Sequence, residues 1–163
     1  MIIRKATEED VEQIAEIVVE DWKKAYVGII DKGWLDSMSV ESQCQKEINR
    51  VHKCTVAVEE NEILGYAWNE MNGDGKADCE IVALYVRYAK RNCGIGKALF
   101  LNSKDLFRAA GKKQMVIWCL KDNVEARKFY ERMGGKQDET STHQWGNKVN
   151  DMVSYLYPLN EKL

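Results

Sequence analysis

Residues 80–106 (EIVALYVRYAKRNCGIGKALFLNSKDL) constrain this chain more than any other stretch. They begin as an apolar run of aliphatic, β-branched and aromatic residues around Leu84, Tyr85 and Val86, as a buried strand requires. They turn through a basic loop, Arg91-Asn92-Cys93-Gly94-Ile95-Gly96, and continue through Lys97 as a helix. Ile95, Leu99, the 102/103 position and Leu106 recur near the helical period. A strand–loop–helix unit aims the unpaired N–H groups of a helix start at whatever sits in the loop, which suits phosphate. Gly94 and Gly96 carry no Cβ to hold a ligand off the backbone.

Two familiar phosphate loops do not fit. A dinucleotide fingerprint needs G-x-G-x-x-G, and the third glycine position is Leu99. A nucleoside-triphosphate loop needs G-x-x-x-x-G-K-[ST]; Arg91 stands at its first glycine and Ala98 at its metal-binding hydroxyl. What remains is R-x-x-G-x-G at residues 91–96.

The 163 residues suit one domain, residues 1–163, with a core of its own. A net charge of −2 gives no reason to expect a nucleic-acid partner. No apolar run reaches the roughly 18 residues of a membrane span, and the N-terminus does not read as a signal peptide. The five cysteines include no C-x-x-C pair, and the histidines are only two, so neither a disulfide framework nor a zinc site is expected. Reduced thiols point to a cytoplasmic protein.

Taken in order, residues 2–6 read as a strand, and Thr7 with three acids after it opens a helix bearing Val11, Ile14, Ile17 and Trp22 on one face. Gly28 and Gly33 are expected to interrupt, before a second helical stretch over 34–35 and 40–50. Residues 54–59 and 63–69 form a hairpin, and Asn72-Gly73-Asp74-Gly75 turns into the central strand. Residues 114–120 read as a strand buried on both faces, 124–133 as a helix ended by Gly134-Gly135, and 136–145 with 149–156 as a closing hairpin. Connections through helices imply a parallel step and hairpins imply antiparallel ones. The expected fold is a mixed, mostly antiparallel α/β sheet of six to seven strands with helices on both faces.

The loop at 91–96, the preceding Leu84-Tyr85-Val86, and Asn123-x-x-Ala126-x-x-Phe129-Tyr130-x-x-x-Gly134 downstream together resemble the GNAT (Gcn5-related) N-acetyltransferase superfamily. Asp21-Trp22-x-x-Ala25-Tyr26-x-Gly28-Ile29-Ile30 resembles a bacterial subgroup, so the likeness covers nearly the whole chain. Departures stand at Tyr88, Asn92 and Gly135, where the family often has proline, glycine and phenylalanine. The resemblance implies a central parallel strand pair that splays apart, with acetyl-CoA as acyl donor and no metal. It implies an amine acceptor, small molecule or protein, and is compatible with a homodimer. The coenzyme's pantetheine arm would lie along Leu84, Tyr85 and Val86. Its pyrophosphate would meet Arg91, Asn92, Cys93, Gly94, Ile95, Gly96 and Lys97, with Asn123 and Phe129 close by. Trp22, Tyr26, Trp34 and His143 are candidates for the acceptor side.

The chemistry asks for two proton-handling groups. A lysine-type amine with a pKa of ~10.4 is neutral about once in 2,500 molecules at pH 7, so a base matters. Glu80, on the central strand, is the candidate, provided that burial raises its pKa. The leaving thiolate needs stabilisation, and Tyr130 matches the tyrosine that family members place by the sulfur. A non-catalytic acyl-CoA-binding regulatory module is the alternative reading.

Overall fold

The computed structural model describes residues 1–160. Seven strands form one sheet: β1 (Ile2–Lys5), β2 (Cys54–Glu59), β3 (Glu62–Glu70), β4 (Cys79–Val86), β5 (Gln114–Leu120), β6 (Lys136–Trp145) and β7 (Lys148–Pro158). Their spatial order is β1-β2-β3-β4-β5-β7-β6. Every neighbouring pair is antiparallel except β4 and β5, which run parallel, as the helical connection between them requires. Among the described residues five α-helices accompany the sheet: α1 (Val11–Ala25), α2 (Lys32–Ser37), α3 (Val40–Glu47), α4 (Ile95–Ala109) and α5 (Val124–Arg132).

Alternation along the strands divides the helices between two faces. Val56 and Tyr66 pack with Val11, Ile14 and Ile17 of α1. Their neighbours Ala57 and Ala67 point the other way and pack with Ile95 and Leu99 of α4. Farther along α4, Phe100 and Phe107 join Ile81, Met115, Ile117 and Tyr155, and α5 adds Tyr130 to the same layer. Ile14, Leu99 and Phe107 are each fully buried, which stabilises the fold by about 1.5–3 kcal/mol per side chain. Gly65 of β3 sets how closely α4 can sit. A Cβ there would stand 2.8 Å from the Tyr85 carbonyl oxygen and 3.1 Å from Leu99 Cδ1.

Local chemistry explains the element starts. Asp10 accepts from the Thr7 amide at 2.8 Å and from both terminal nitrogens of Arg4 at 2.7 and 2.9 Å, fixing the entry to α1. In the β3–β4 connection, Asp74 Oδ1 accepts from the amides of Lys76 and Ala77, the Asx turn that the Asn-Gly-Asp-Gly run foretells.

Three expectations change. Gly33 does not interrupt but lies inside α2, because Asp31 caps that helix by accepting from the Trp34 amide at 3.1 Å. The helical stretch expected through residue 50 ends at Glu47, before a short 3₁₀ turn. On α4 the inward position is the fully buried Phe107, whereas Leu106 is 38% exposed. A single leucine at the right spacing did not outweigh the wider apolar stripe through Phe100 and Phe107.

Candidate active site

β4 and β5 pair only at Cys79 with Met115 and Glu80 with Val116. Beyond that point β4 continues to pair with β3 as far as Val86, and β5 pairs with β7 as far as Leu120. Residues 81–86 of β4 therefore have no strand partner on the side of β5. Leu84, Tyr85 and Val86 are only half-buried although they lie in the middle of the sheet. A bulge helps to open the gap. The β3–β4 register passes from Asn69↔Ile81 to Trp68↔Ala83, so Val82 is an extra residue that bends β4. A strand edge facing an opening offers amides and carbonyls to an extended chain, as in β-augmentation.

The glycine loop lies at the end of this opening. Asn92 and Gly94 have φ of +61° and +80°, and Gly94 caps α4. Left-handed residues alternating with helical ones turn successive N–H groups towards one side, a concavity that suits anions. The first α-helical bond of this turn runs from Ala98 N to Gly94 O, at 3.0 Å. The preceding amides of Ile95, Gly96 and Lys97 thus lack helical acceptors. A Cβ on Gly96 would meet Val86 and Phe129 only at 3.6 and 3.7 Å, ordinary contact distances. Protein packing does not demand glycine there, and its missing Cβ keeps the floor of the loop low.

The Arg91 side chain is held within the protein. Its guanidinium pairs with Asp21 of α1, approaches Glu125 of α5 at 3.4 Å and covers the Tyr88 ring at 4.7 Å. Burial pushes the Asp21 carboxyl above its usual range, and Arg91 only partly offsets this. Arg87, next to the loop, is also committed: its Nε donates to the Ile63 carbonyl at 2.7 Å and its guanidinium reaches Gln13 and Glu16. Lys97 and Cys93 are exposed. Asn123 caps α5, its Oδ1 accepting from the Ala126 amide at 3.2 Å.

Glu80 sits where the parallel pairing ends. It lies opposite Glu70 in the β3–β4 register, two steps beyond the Trp68–Ala83 pair, and so shares the α1 face of the sheet. Its carboxyl is raised first by burial, then by the like charges of Asp74 and Glu70. Tyr130 approaches from the opposite face. It is 7% exposed, with the Phe129 and Tyr155 rings at 5.5 and 5.9 Å, and burial raises its hydroxyl well above the ordinary tyrosine range. The glycine at 135 has a cause nearby. A Cβ there would stand 2.5 Å from Tyr157 Oη, which donates to the Tyr130 carbonyl at 2.6 Å.

Trp22, Tyr26 and Trp34 come together in one apolar cluster over the α1 side, joined by Trp145 of β6. Trp22 meets Tyr26 and Trp145 edge-on at 5.0 and 5.6 Å, and its indole N–H donates to Tyr85 Oη at 3.0 Å. His143 is exposed, and its ring lies 4.3 Å from that of Trp145. The closing hairpin is fastened to the α1–α2 connection by Asn150 Nδ2, which donates to the Ile29 carbonyl at 2.8 Å. Sequence reasoning missed the Arg91–Asp21 pair and Trp145. Neither carries a spacing signal, because each depends on segments that meet only in the fold. A separate cavity of about 600 Å³ lies between α4 and β1–β3, and none of its lining residues comes from β4 or β5.

The acetyltransferase (GNAT) family profile matches residues 11–135. The chain belongs to the GNAT family. A spermidine N(1)-acetyltransferase of Thermoplasma acidophilum is 23% identical over 147 residues, which is 85% of this chain and 89% of the relative. An uncharacterised N-acetyltransferase of Methanocaldococcus jannaschii is 31% identical over 136 residues, 82% of this chain and 77% of that one. Among solved structures, PaiA N-acetyltransferase from T. acidophilum in complex with coenzyme A superposes with a TM-score of 0.79 at 21% identity, covering 96% of this chain and 98% of PaiA. The putative acetyltransferase yncA of Salmonella typhimurium with acetyl-CoA gives 0.73 at 21%, covering 99% and 95%. This GNAT protein is an N-acetyltransferase. Among its described residues, no helix is long and apolar enough to cross a membrane.

Proposed function

We propose that this GNAT protein transfers acetyl from acetyl-CoA directly to a primary amine of a small molecule or peptide. The observation that carries the reading is the β4–β5 opening beyond Glu80, running into the left-handed loop at the start of α4. The pyrophosphate lies against the amides of residues 92–97, each charge–dipole contact contributing about 0.3–1 kcal/mol. The pantetheine arm extends along residues 84–86 as an added strand. The fit rests on main-chain groups, since Arg91 is already paired with Asp21.

The amine enters from the α1 face, where Glu80 takes its proton directly or through a water. Its raised carboxyl is a stronger base than an exposed glutamate, which matters most for basic amines. Asp74 adds negative charge beside it, while Glu70 is already paired with Lys53 at 2.8 Å; a cationic acceptor, a class that includes spermidine, named for the T. acidophilum relative, suits that charge. Tyr130 stays protonated across the working range and hydrogen-bonds the sulfur as charge develops there.

Isothermal titration with acetyl-CoA, followed by thiol release across a panel of amines, tests this reading. Saturable binding with amine-dependent release of coenzyme A is expected. Absence of binding at millimolar acetyl-CoA defeats it, and binding without release on any amine favours a regulatory module.

A further inference from the structure

Four of the five tryptophans are engaged within the fold. Trp22 and Trp145 meet edge-on, Lys46 reaches over Trp34, and the Arg50 guanidinium covers Trp68 at 4.2 Å. Trp118 differs. Among the described residues no ring or cation stacks on it, its indole N–H makes no hydrogen bond, and it joins no apolar cluster. Yet it stands on β5, an interior strand of the sheet, and is only half-buried. Its neighbours Ile117 and Cys119 face α4 and α5, and Leu120 joins the Trp22–Tyr26 cluster, so alternation turns Trp118 to the α1 face. Glu80 is on that face too, paired with Val116. Trp118 follows two residues later, about 7 Å along β5. This is past the last parallel pair, so Glu80 marks the closed end of the opening and Trp118 stands on its β5 side. No β4 residue pairs with Trp118 there, and on β7 its partner is the small Ser154, whose Oγ already accepts from the Glu139 amide at 2.9 Å.

We propose that Trp118 is a specificity-determining residue for the acceptor, its indole face carrying the alkyl chain of a primary amine and a second ammonium on that chain while the reacting nitrogen lies at Glu80. This rests on the acetyl-CoA reading above, with the amine entering from the α1 face, and narrows the acceptor to alkyl polyamines, of which spermidine is one. An indole face is apolar and carries the negative side of the ring quadrupole, so it attracts methylene groups and ammonium together. Methylenes laid on it remove apolar surface of both partners from water. Val116 and Leu120, on the same face before and after it, extend the apolar strip along β5. The carboxylate at one end and the open ring beside it thus match a molecule with a cationic head and an unbranched chain.

Acetyl transfer to spermidine and to ethylamine, each over a range of concentrations, separates recognition of the chain from the chemistry. The intact protein should show the higher kcat/KM on spermidine. Trp118→Leu keeps an apolar side chain and removes the ring, so the preference for spermidine should fall on the order of tenfold, through KM for spermidine rather than kcat. Trp118→Phe, with a smaller ring, should restore part of it. Affinity for coenzyme A, measured by calorimetry, should match that of the intact protein in both variants, which also establishes that they are folded. An unchanged preference in Trp118→Leu overturns the assignment, and so does an equal loss on both amines. Acetylation of peptide amino-termini with no turnover of either alkyl amine overturns it as well, while leaving the acetyl-CoA reading standing. Failure of the intact protein to bind acetyl-CoA, or to release coenzyme A with any amine, would instead overturn that reading.

Discussion

The glycine loop before α4 and the aromatic wall over the α1 face would, on the reading proposed above, hold ligands by different means. The loop spans neighbours in sequence, residues 91–97, and presents main-chain amides fixed by two left-handed residues and a helix start. The wall gathers Trp22 and Tyr26 from α1, Trp34 from α2 and Trp145 from β6, and presents side chains. Main-chain recognition tolerates change at many side chains as long as φ and ψ are kept. Side-chain recognition changes with every substitution.

The two regions are joined by Arg91 and Asp21, so the largest expected effect is at that joint. Arg91→Ala should leave a buried carboxylate without its cation, lowering stability by about 3 kcal/mol in chemical denaturation. Asp21→Ala added to it should recover much of the loss, because the unpaired charge is then gone. If the two losses simply add, the pair does not join the regions. Glu80→Gln should cut kcat/KM on the order of 100-fold, or about 2.7 kcal/mol, with coenzyme affinity unchanged. Its pH profile gives the sign. The base works when ionised, so activity rises with pH through its raised pKa, and the variant should lose that acidic limb. An unaltered limb would move the base elsewhere on the acceptor side.

Smaller effects separate the sides further. Gly94→Ala adds a methyl at φ +80°, where space is open but the conformation costs about 1–2 kcal/mol. Coenzyme A affinity measured by calorimetry should weaken several-fold, while amine KM stays within twofold. Asp31→Ala removes the α2 cap, a loss of about 1 kcal/mol in thermal unfolding, and should raise amine KM without touching coenzyme affinity. A weaker coenzyme affinity in Asp31→Ala would break the division between backbone and side-chain recognition.

The same division governs what was legible beforehand. The strand–loop–helix unit and the cap at Asn123 could be read because their signals are local: glycines at fixed offsets, apolar periods, a capping side chain. Asn92 was singled out only as standing where the family often has glycine; its φ of +61° keeps the left-handed turn that glycine would make. Tyr85 was read only for its backbone; the partner of its hydroxyl is an indole sixty-three positions earlier in the chain. The glycine at 135 looked like a loss of apolar contact, yet Tyr157 fills that space from β7.

The sequence alone determined the order of strands and helices, the parallel step between β4 and β5, and the strand–loop–helix unit at residues 80–106. Each follows from spacing within a few turns of chain. Only the tertiary structure decided where β4 and β5 part, that Arg91 pairs with Asp21 of α1, and that the Trp22 indole meets the Tyr85 hydroxyl. Those are contacts between distant segments, and their energies depend on distance, burial and direction in space, quantities that spacing along the chain does not encode.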